Sequence, residues 1–163
     1  MVRGRIRRGR RGTRVVEPIG RTPRIGIREV FRRAAGETSV DPEQSEVVAE
    51  SLGYLQRGFD SHYGADTAGD EEILLGDGSY AWAIETIARL DEPDFVAVAS
   101  RLIRDGAGHI SSGGAVNFEL WLPHLAGLLA ILTGEGPESS EARIRRSAAG
   151  LDLHDGSGSP AFT

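Results

Sequence analysis

The sequence contains neither cysteine nor lysine. Without cysteine, disulfide bonds and thiolate metal sites are both excluded. This composition fits a reducing compartment, and we expect a cytoplasmic location. All 19 basic residues are arginine, which we interpret as a codon bias of the genome rather than a sign of function.

The sequence also has no apolar stretch long enough to be predicted to cross a membrane. The longest apolar run, 120–132, is interrupted by Pro123, His124 and Gly127. A membrane-spanning helix needs about 20 predominantly apolar residues, which this run does not reach. The N-terminal charges are not followed by the hydrophobic stretch of a secretory signal. We therefore predict a protein without a membrane span.

A strand-like alternation of polar and apolar residues is missing over any useful length, whereas helical spacing of apolar residues recurs along the chain. The strongest helical pattern lies between residues 72 and 135. We therefore predict an all-α fold, a bundle of about five or six helices in a domain covering residues 25–150. The flanking segments, 1–24 and 151–163, have the composition of flexible ends.

Charged residues are distributed unevenly along the sequence. Residues 1–33 carry twelve arginines and two acidic residues, whereas residues 34–163 carry seven arginines and 22 acidic residues. The net charge of −5 therefore conceals a basic N-terminal arm attached to an acidic body.

The basic arm, residues 1–24, interleaves arginine with glycine and offers few apolar side chains, so we expect it to be disordered. One interpretation is a nucleic-acid-binding arm, because clustered arginines release counterions from phosphates; the candidates are Arg7, Arg8, Arg10 and Arg11. The arm has no aromatic residue to stack on bases. The alternative interpretation is a solvated tail.

Capping residues and apolar spacing predict where the helices begin and end. The predicted helices are 26–35, a second from Asp41 to about Gly58, a segment through 73–75 that continues or restarts at 77–79, then 93–105, 118–133 and 138–149. Two glycine-containing segments, 58–71 and 106–114, are predicted to be loops. Pro123 is expected to kink the helix over 118–133 or to begin a new one.

The predicted loop over 58–71 is rich in acidic residues. Carboxylate oxygens are preferred by hard divalent cations, so Asp66 and Asp70, with Asp77 just beyond the loop, are candidate metal ligands. The spacing of Asp66 and Asp70 would put both carboxylates on one face of a helix. Gly64 and Gly69 argue against a rigid helix, and the alternative is a solvated acidic loop.

Three short motifs follow one another in the centre of the sequence: Gln56-Arg57-Gly58, His62-Tyr63-Gly64, and Leu74-Leu75-Gly76-Asp77 followed by Tyr80-Ala81-Trp82-Ala83. In order and approximate spacing they resemble the trans-polyprenyl diphosphate synthases, over roughly residues 45–135. Members of that family are all-helical enzymes that extend an allylic diphosphate with isopentenyl diphosphate. The resemblance implies an isoprenoid-synthase-like helical bundle and makes Arg57 a candidate diphosphate contact.

The metal-binding motifs of those enzymes are not recognisable in this sequence. The family holds Mg²⁺ between two Asp-rich motifs and the substrate diphosphate. Residues 44–56, where the first motif would lie, contain no Asp, and the Lys-Thr of a central helix would fall near Pro123-His124. The sequence ends before a second motif would occur. We therefore expect no catalytic residues and no cofactor, with Mg²⁺ bound only if the prenyl diphosphate site is retained.

This pattern resembles the small, non-catalytic subunits of heteromeric polyprenyl synthases, which help to set product length. The resemblance implies a protein partner or a homo-oligomer, with a catalytic prenyl synthase as one candidate partner. Four aromatic residues would then supply an interface or the wall of a prenyl tunnel: Tyr80, Trp82, Phe118 and Trp121. The alternative is that these side chains belong to an ordinary hydrophobic core.

Overall fold

The computed structural model describes residues 26–63 and 69–155, with side chains for 26–62 and 69–151. These residues form six helices: α1 (Ile27–Gly36), α2 (Pro42–Tyr63), α3 (Asp70–Ala88), α4 (Pro93–Ser111), α5 (Phe118–Thr133) and α6 (Pro137–Asp155). No strand occurs among them. The prediction of an all-α bundle is confirmed. The predicted basic arm and Asp66 lie outside the described residues.

α2 begins where its predicted capping residue lies. The Asp41 carboxylate accepts a hydrogen bond from the Glu43 N–H at 2.7 Å, ahead of Pro42 at the start of α2. The side chain of Asn117 accepts from the Leu120 N–H at 3.1 Å and begins α5 in the same way. Each cap satisfies a backbone N–H group that has no partner within its own helix.

Each helix packs against the next along the chain, and α6 packs back on α1, so the bundle closes on itself. In addition to its neighbours α4 and α6, α5 contacts α1 and α2 and so lies closest to the centre. Its buried apolar side chains are Trp121, Leu122, Leu125, Ala126, Leu128 and Leu129. Burial of each large one contributes about 1.5–3 kcal/mol. α5 is therefore the central, buried helix of the bundle.

The predicted end of α2 near Gly58 is wrong, because the helix continues to Tyr63. Gly58 is buried, and the ring of Tyr80 from α3 lies directly against its backbone. The low helix propensity of glycine costs about 1 kcal/mol. Close packing of an aromatic ring offsets that cost, so the predicted loop over 58–71 is helical over 58–63 and again from Asp70.

The predicted loop over 106–114 is also largely wrong, because α4 continues to Ser111. Gly106 is buried with the ring of Phe59 from α2 against it, so this glycine also admits a neighbouring ring. The chain leaves the helix only at Gly113, which has a φ of 83°. Glycine adopts this left-handed conformation without a Cβ clash.

α3 is one continuous helix from Asp70, so of the two predicted alternatives at 77–79, continuation and restart, the structure shows continuation. α5 runs unbroken through Pro123, which lies in its second turn, where the missing N–H removes a single helical hydrogen bond. α6 extends to Asp155, five residues into the predicted tail. Within the described residues, no helix combines the length and hydropathy needed to traverse a bilayer.

Candidate interaction surface on α3

The seam between α2 and α3 is built from glycines that receive aromatic rings. A Cβ at Gly58 would lie 2.6 Å from Cδ1 of Tyr80, and a Cβ at Gly76 would lie 2.5 Å from Nε2 of His62. The two contacts are reciprocal. In the first, α2 supplies the glycine and α3 the ring; in the second, α3 supplies the glycine and α2 the ring. Deeper in the seam, the buried Ser51 hydroxyl donates a hydrogen bond to the Ala83 carbonyl at 2.9 Å. Together these contacts hold α2 and α3 unusually close.

His62 joins the seam to a candidate metal ligand. Its imidazole stacks on the Tyr80 ring, with centroids 5.4 Å apart and planes 8° from parallel. The imidazole Nε2 lies 3.1 Å from Oδ1 of Asp77, an ion-pair distance when the imidazole is protonated. Asp77 itself remains largely exposed. The family-like motifs around His62 and Asp77 thus meet across the α2–α3 seam.

Two of the four aromatic residues proposed for a tunnel or interface pack inside the bundle. Phe59 from α2 meets Tyr80 and Trp121 in edge-on geometry, with centroids 5.4 Å and 5.5 Å away. Trp121 is buried, Tyr80 is partly buried, and Phe118 packs partly buried at the start of α5. Phe59, Tyr80 and Trp121 therefore fill the interior between α2, α3 and α5 with closely packed rings.

Trp82, the remaining aromatic candidate, lies on the surface. Its ring packs on Tyr54 at 5.9 Å between centroids. The exposed guanidinium of Arg57 lies over the other ring of this pair, 5.4 Å from the Tyr54 centroid. The predicted diphosphate contact is thus a cation–π partner of Tyr54. Arg57, Tyr54 and Trp82 form a continuous surface stack across α2 and α3.

The candidate metal ligands do not form a cluster in the described part of the chain. Asp70 and Asp77 are two turns apart on α3, or about 10 Å along the helix axis. Among residues 26–62 and 69–151, no three carboxylate or imidazole groups are placed to hold one metal ion. Asp66 lies outside these residues, so the structure does not describe the predicted Asp66–Asp70 pair.

A second histidine couples α5 to α4. His124 is buried, and its Nε2 lies 3.3 Å from Oδ2 of Asp105. Burial lowers the pKa of His124 below its ordinary value, and the nearby Arg101 charge lowers it further, while Asp105 opposes both. The imidazole is therefore held neutral more strongly than in an unfolded chain. Sequence reasoning placed His124 in the helix but did not identify its carboxylate partner.

A cleft of about 360 Å³ opens where the α1–α2 loop meets the ends of α5 and α6. It is lined by Glu37, Thr38, Ser39, Val40, Leu132, Thr133, Glu135 and Arg143. The largely buried Arg143 guanidinium lies 3.2 Å from Glu135 and 3.9 Å from Glu37. Because carboxylates already neutralise the cation of this cleft, it is not a ready site for an anion.

The most distinctive surface lies on the outer side of α3. The side chains of Leu74, Leu75 and Trp82 are 69%, 59% and 49% exposed, although all three are large and apolar. Single exposed apolar residues are common on protein surfaces, whereas large exposed apolar patches mark interaction sites. Gly78 lies between them, and a Cβ there would meet no atom within 4 Å. The group is therefore an apolar surface with a notch at its centre.

Sequence reasoning named Trp82 but missed the surface to which it belongs. The signal was present as apolar and small residues at Leu75, Gly78 and Trp82, with a spacing of three and four. It was obscured because the sequence left open whether the helix continues through 77–79 or restarts there. Once α3 is one continuous helix, these positions fall on one side.

The chain was compared with protein-family models, with curated proteins and with solved structures, and none of the three comparisons found a match. The resemblance to trans-polyprenyl diphosphate synthases therefore stays a hypothesis that depends on the motifs in the sequence.

Proposed function

We propose that this protein is a non-catalytic, polyprenyl-synthase-like helical subunit that acts by binding another protein. The observation that carries the proposal is the exposed apolar surface on α3, formed by Leu74, Leu75 and Trp82. Leaving such side chains in water is unfavourable, and covering them with a partner recovers about 25 cal/mol for each Å² of apolar area buried. A binding role gives this surface a purpose that a stand-alone bundle does not.

The positions that match the family motifs support a structural role. Arg57 stacks on Tyr54, and the His62 imidazole is sandwiched between Tyr80 and the backbone of Gly76. Asp77 lies beside His62. In a synthase such groups would face a diphosphate and Mg²⁺, whereas here His62 and Asp77 meet across the α2–α3 seam and Arg57 lies over Tyr54 of its own helix.

Co-expression with a catalytic trans-prenyl synthase tests the proposal. We expect the two chains to co-purify and the length distribution of the prenyl products to change relative to the synthase alone. An unrelated helical protein of similar size, expressed in the same way, is the control. If the chains neither co-purify nor alter product length, the accessory-subunit proposal is wrong.

Calorimetry separates this role from that of a stand-alone enzyme. Titrating the chain with a prenyl diphosphate in the presence of Mg²⁺ should give no binding heat beyond dilution. Saturable heat that disappears in Arg57→Ala and in Asp77→Asn would instead assign a diphosphate site to these residues. An inorganic diphosphate titration distinguishes recognition of the charged group from recognition of the prenyl chain.

A second candidate function rests on the uneven charge of the sequence. The excess of arginine in residues 1–33 favours binding to phosphate-rich polymers, with Arg7, Arg8, Arg10 and Arg11 as candidate contacts. This function predicts DNA or RNA binding that weakens steeply with salt and is lost when residues 1–24 are deleted. Binding that survives the deletion, or full-length protein that does not bind at all, argues against it.

A further inference from the structure

Six positions on the outside of α3 repeat with alternating steps of four and three residues. They are Glu71, Leu75, Gly78, Trp82, Glu85 and Arg89, here called the outer stripe of α3. Such spacing keeps side chains on one side of a helix and is the pattern by which two helices pack along their length. Leu74 adds exposed apolar area beside the stripe. The stripe thus has the form of a helix-pairing surface.

The ends and the centre of the stripe are complementary when two copies run antiparallel. With a two-fold axis passing α3 at residue 80, Glu71 of one copy faces Arg89 of the other. The same axis sets Trp82 opposite Gly78, and Leu75 opposite Glu85. Each pairing occurs twice, as an isologous interface requires. The outermost pairings join opposite charges, and the central ones place a large side chain over a notch.

A parallel arrangement of two α3 helices lacks this complementarity. Residues related by a parallel two-fold axis face their own copies, so Glu71 would meet Glu71 and Arg89 would meet Arg89. Like charges at helix pairing positions are destabilising, and the helix dipoles would also be aligned side by side. Trp82 would meet Trp82, and the notch at Gly78 would remain empty. The charge order of the stripe therefore selects the antiparallel pair.

The two central residues are already shaped for this contact. Trp82 packs on Tyr54, so its indole is held in place while 49% of its side chain stays exposed. A side chain ordered in advance loses less conformational entropy on binding. Among the residues whose side chains the structure describes, no atom lies within 4 Å of a Cβ position at Gly78, so none of them fills the space above it. An indole from another copy would fill it.

We propose that the outer stripe of α3 binds a second copy of this chain, forming an antiparallel two-fold dimer in which each Trp82 sits on Gly78 of the other copy. This proposal rests on the proposed function to the extent that it takes the α3 surface as a protein-binding site. It differs from that function in the occupant, because it assigns the α3 surface to a second copy rather than to a catalytic synthase, and it adds the register of the contact.

Sedimentation velocity and light scattering on the full chain test the proposal across a range of concentrations. We expect a reversible species with twice the 17.5 kDa mass of the chain. Trp82→Ala removes a central aromatic contact and should weaken dimerisation about tenfold or more. A chain that stays monomeric at the highest attainable concentration overturns the proposal.

Gly78→Gln separates loss of the interface from loss of the fold. Glutamine is a better helix former than glycine and meets nothing within 4 Å of its Cβ, so the monomer should unfold at a denaturant concentration no lower than the parent. In the dimer the new side chain occupies the space of Trp82, and dissociation should increase about tenfold or more. A dimer unchanged by both Gly78→Gln and Trp82→Ala uses another surface, which refutes the assignment.

Charge reversal tests the antiparallel register. In Glu71→Arg alone, each new arginine faces Arg89 of the other copy, and in Arg89→Glu alone, each new glutamate faces Glu71 of the other copy. Both variants therefore place like charges opposite each other and should weaken the dimer. The double variant restores opposite charges and should recover most of the affinity, with a dependence on salt. Arg146→Glu, an exposed arginine on α6, makes the same charge change away from α3 and should leave the dimer intact. Failure of the double variant to recover overturns the register.

The dimer and the accessory-subunit proposal fail separately. A dimer with the predicted variant effects, in a chain that neither co-purifies with a prenyl synthase nor alters its products, retains the dimer and refutes the subunit role. A monomeric chain that co-purifies with a prenyl synthase and alters its product length refutes the dimer and retains the subunit role.

Discussion

The ring of Tyr80 lies against the backbone of Gly58, so that a methyl group on residue 58 would stand 2.6 Å from the ring carbon Cδ1. The ring has little room to move away, because His62 stacks on it and Phe59 packs against its edge. Gly58 is therefore required by its neighbour on α3, although it lies within a helix that would otherwise favour alanine.

Replacing Gly58 by alanine should destabilise the fold by about 1–3 kcal/mol, the usual cost of overpacking a tight interior site. Gly53→Ala on the same helix is the matched control. Its Cβ would lie 3.5 Å from Cδ of Arg28, an ordinary contact. The control should instead gain about 0.5–1 kcal/mol from helix propensity. Urea unfolding followed by circular dichroism measures both, and midpoints that shift in the same direction would contradict this account of the seam.

The contact between Gly106 and Phe59 predicts a compensating pair of substitutions. Gly106→Ala puts a methyl group into the space of the Phe59 ring and should destabilise the fold. Phe59→Leu should also destabilise it, by loss of buried area and of the edge contact with Trp121. Because leucine frees space beside residue 106, the loss in free energy of unfolding in the double variant should be smaller than the sum of the two single losses, by about 0.5–3 kcal/mol. Strict additivity in a double-mutant cycle would exclude the steric contact.

The hydrogen bond from Ser51 to the Ala83 carbonyl predicts a smaller loss. Removing the hydroxyl in Ser51→Ala should cost about 1 kcal/mol, since the bond joins two helices in a buried seam. Ser111→Ala is the control, because its hydroxyl donates to Ala107 within α4 at an exposed position. That variant should leave the free energy of unfolding nearly unchanged. Equal effects in the two variants would indicate that the inter-helix bond contributes nothing.

His124 predicts acid sensitivity. Its pKa is lowered by burial, so the unfolded chain takes up a proton at a higher pH than the folded chain. Stability is therefore fully present above the unfolded pKa of about 6.5 and decreases as pH falls through it toward the lower folded pKa. The slope from this one group is at most about 1.4 kcal/mol per pH unit.

The measurement is the free energy of unfolding between pH 7.5 and pH 5, compared between the parent chain and His124→Gln. The difference between the two should shift with pH, because only the parent carries the imidazole. Asp105→Asn removes the carboxylate that favours the protonated form of His124. This variant should therefore be more sensitive to acid than the parent chain. If the parent and His124→Gln have parallel pH profiles, His124 is not the responsible group.

Much of the fold could be predicted from local patterns. Asp41 identified the start of α2 because its side chain satisfies a backbone N–H group two residues further on. The apolar spacing over 118–133 predicted the bounds of α5. The errors were concentrated at Gly58 and Gly106, where helix propensity and tertiary packing favour different outcomes. Which helix supplies a ring against a glycine is a long-range relationship that no local pattern records.

The residues of the candidate site could likewise be named in part from local patterns, whereas their surroundings depend on the fold. Arg57 and Asp77 could be selected from motifs, but the contact of Asp77 with His62 depends on how α3 lies against α2. Trp82 could be named as an aromatic residue, but not assigned to the surface. Whether a tryptophan is buried or exposed depends on the direction its helix face takes in the assembled bundle.

The sequence by itself determined the all-α class, the main capping positions and the separation of a basic arm from an acidic body, because each depends on composition or on residues within a few positions of one another. Only the tertiary structure decided that α2 and α4 continue through buried glycines and that Trp121 is interior while Trp82 is exposed. It also decided that Leu75, Gly78 and Trp82 form one uncovered stripe. These properties depend on which helices become neighbours, because burial and close ring packing are set by surfaces that meet only after the chain has folded.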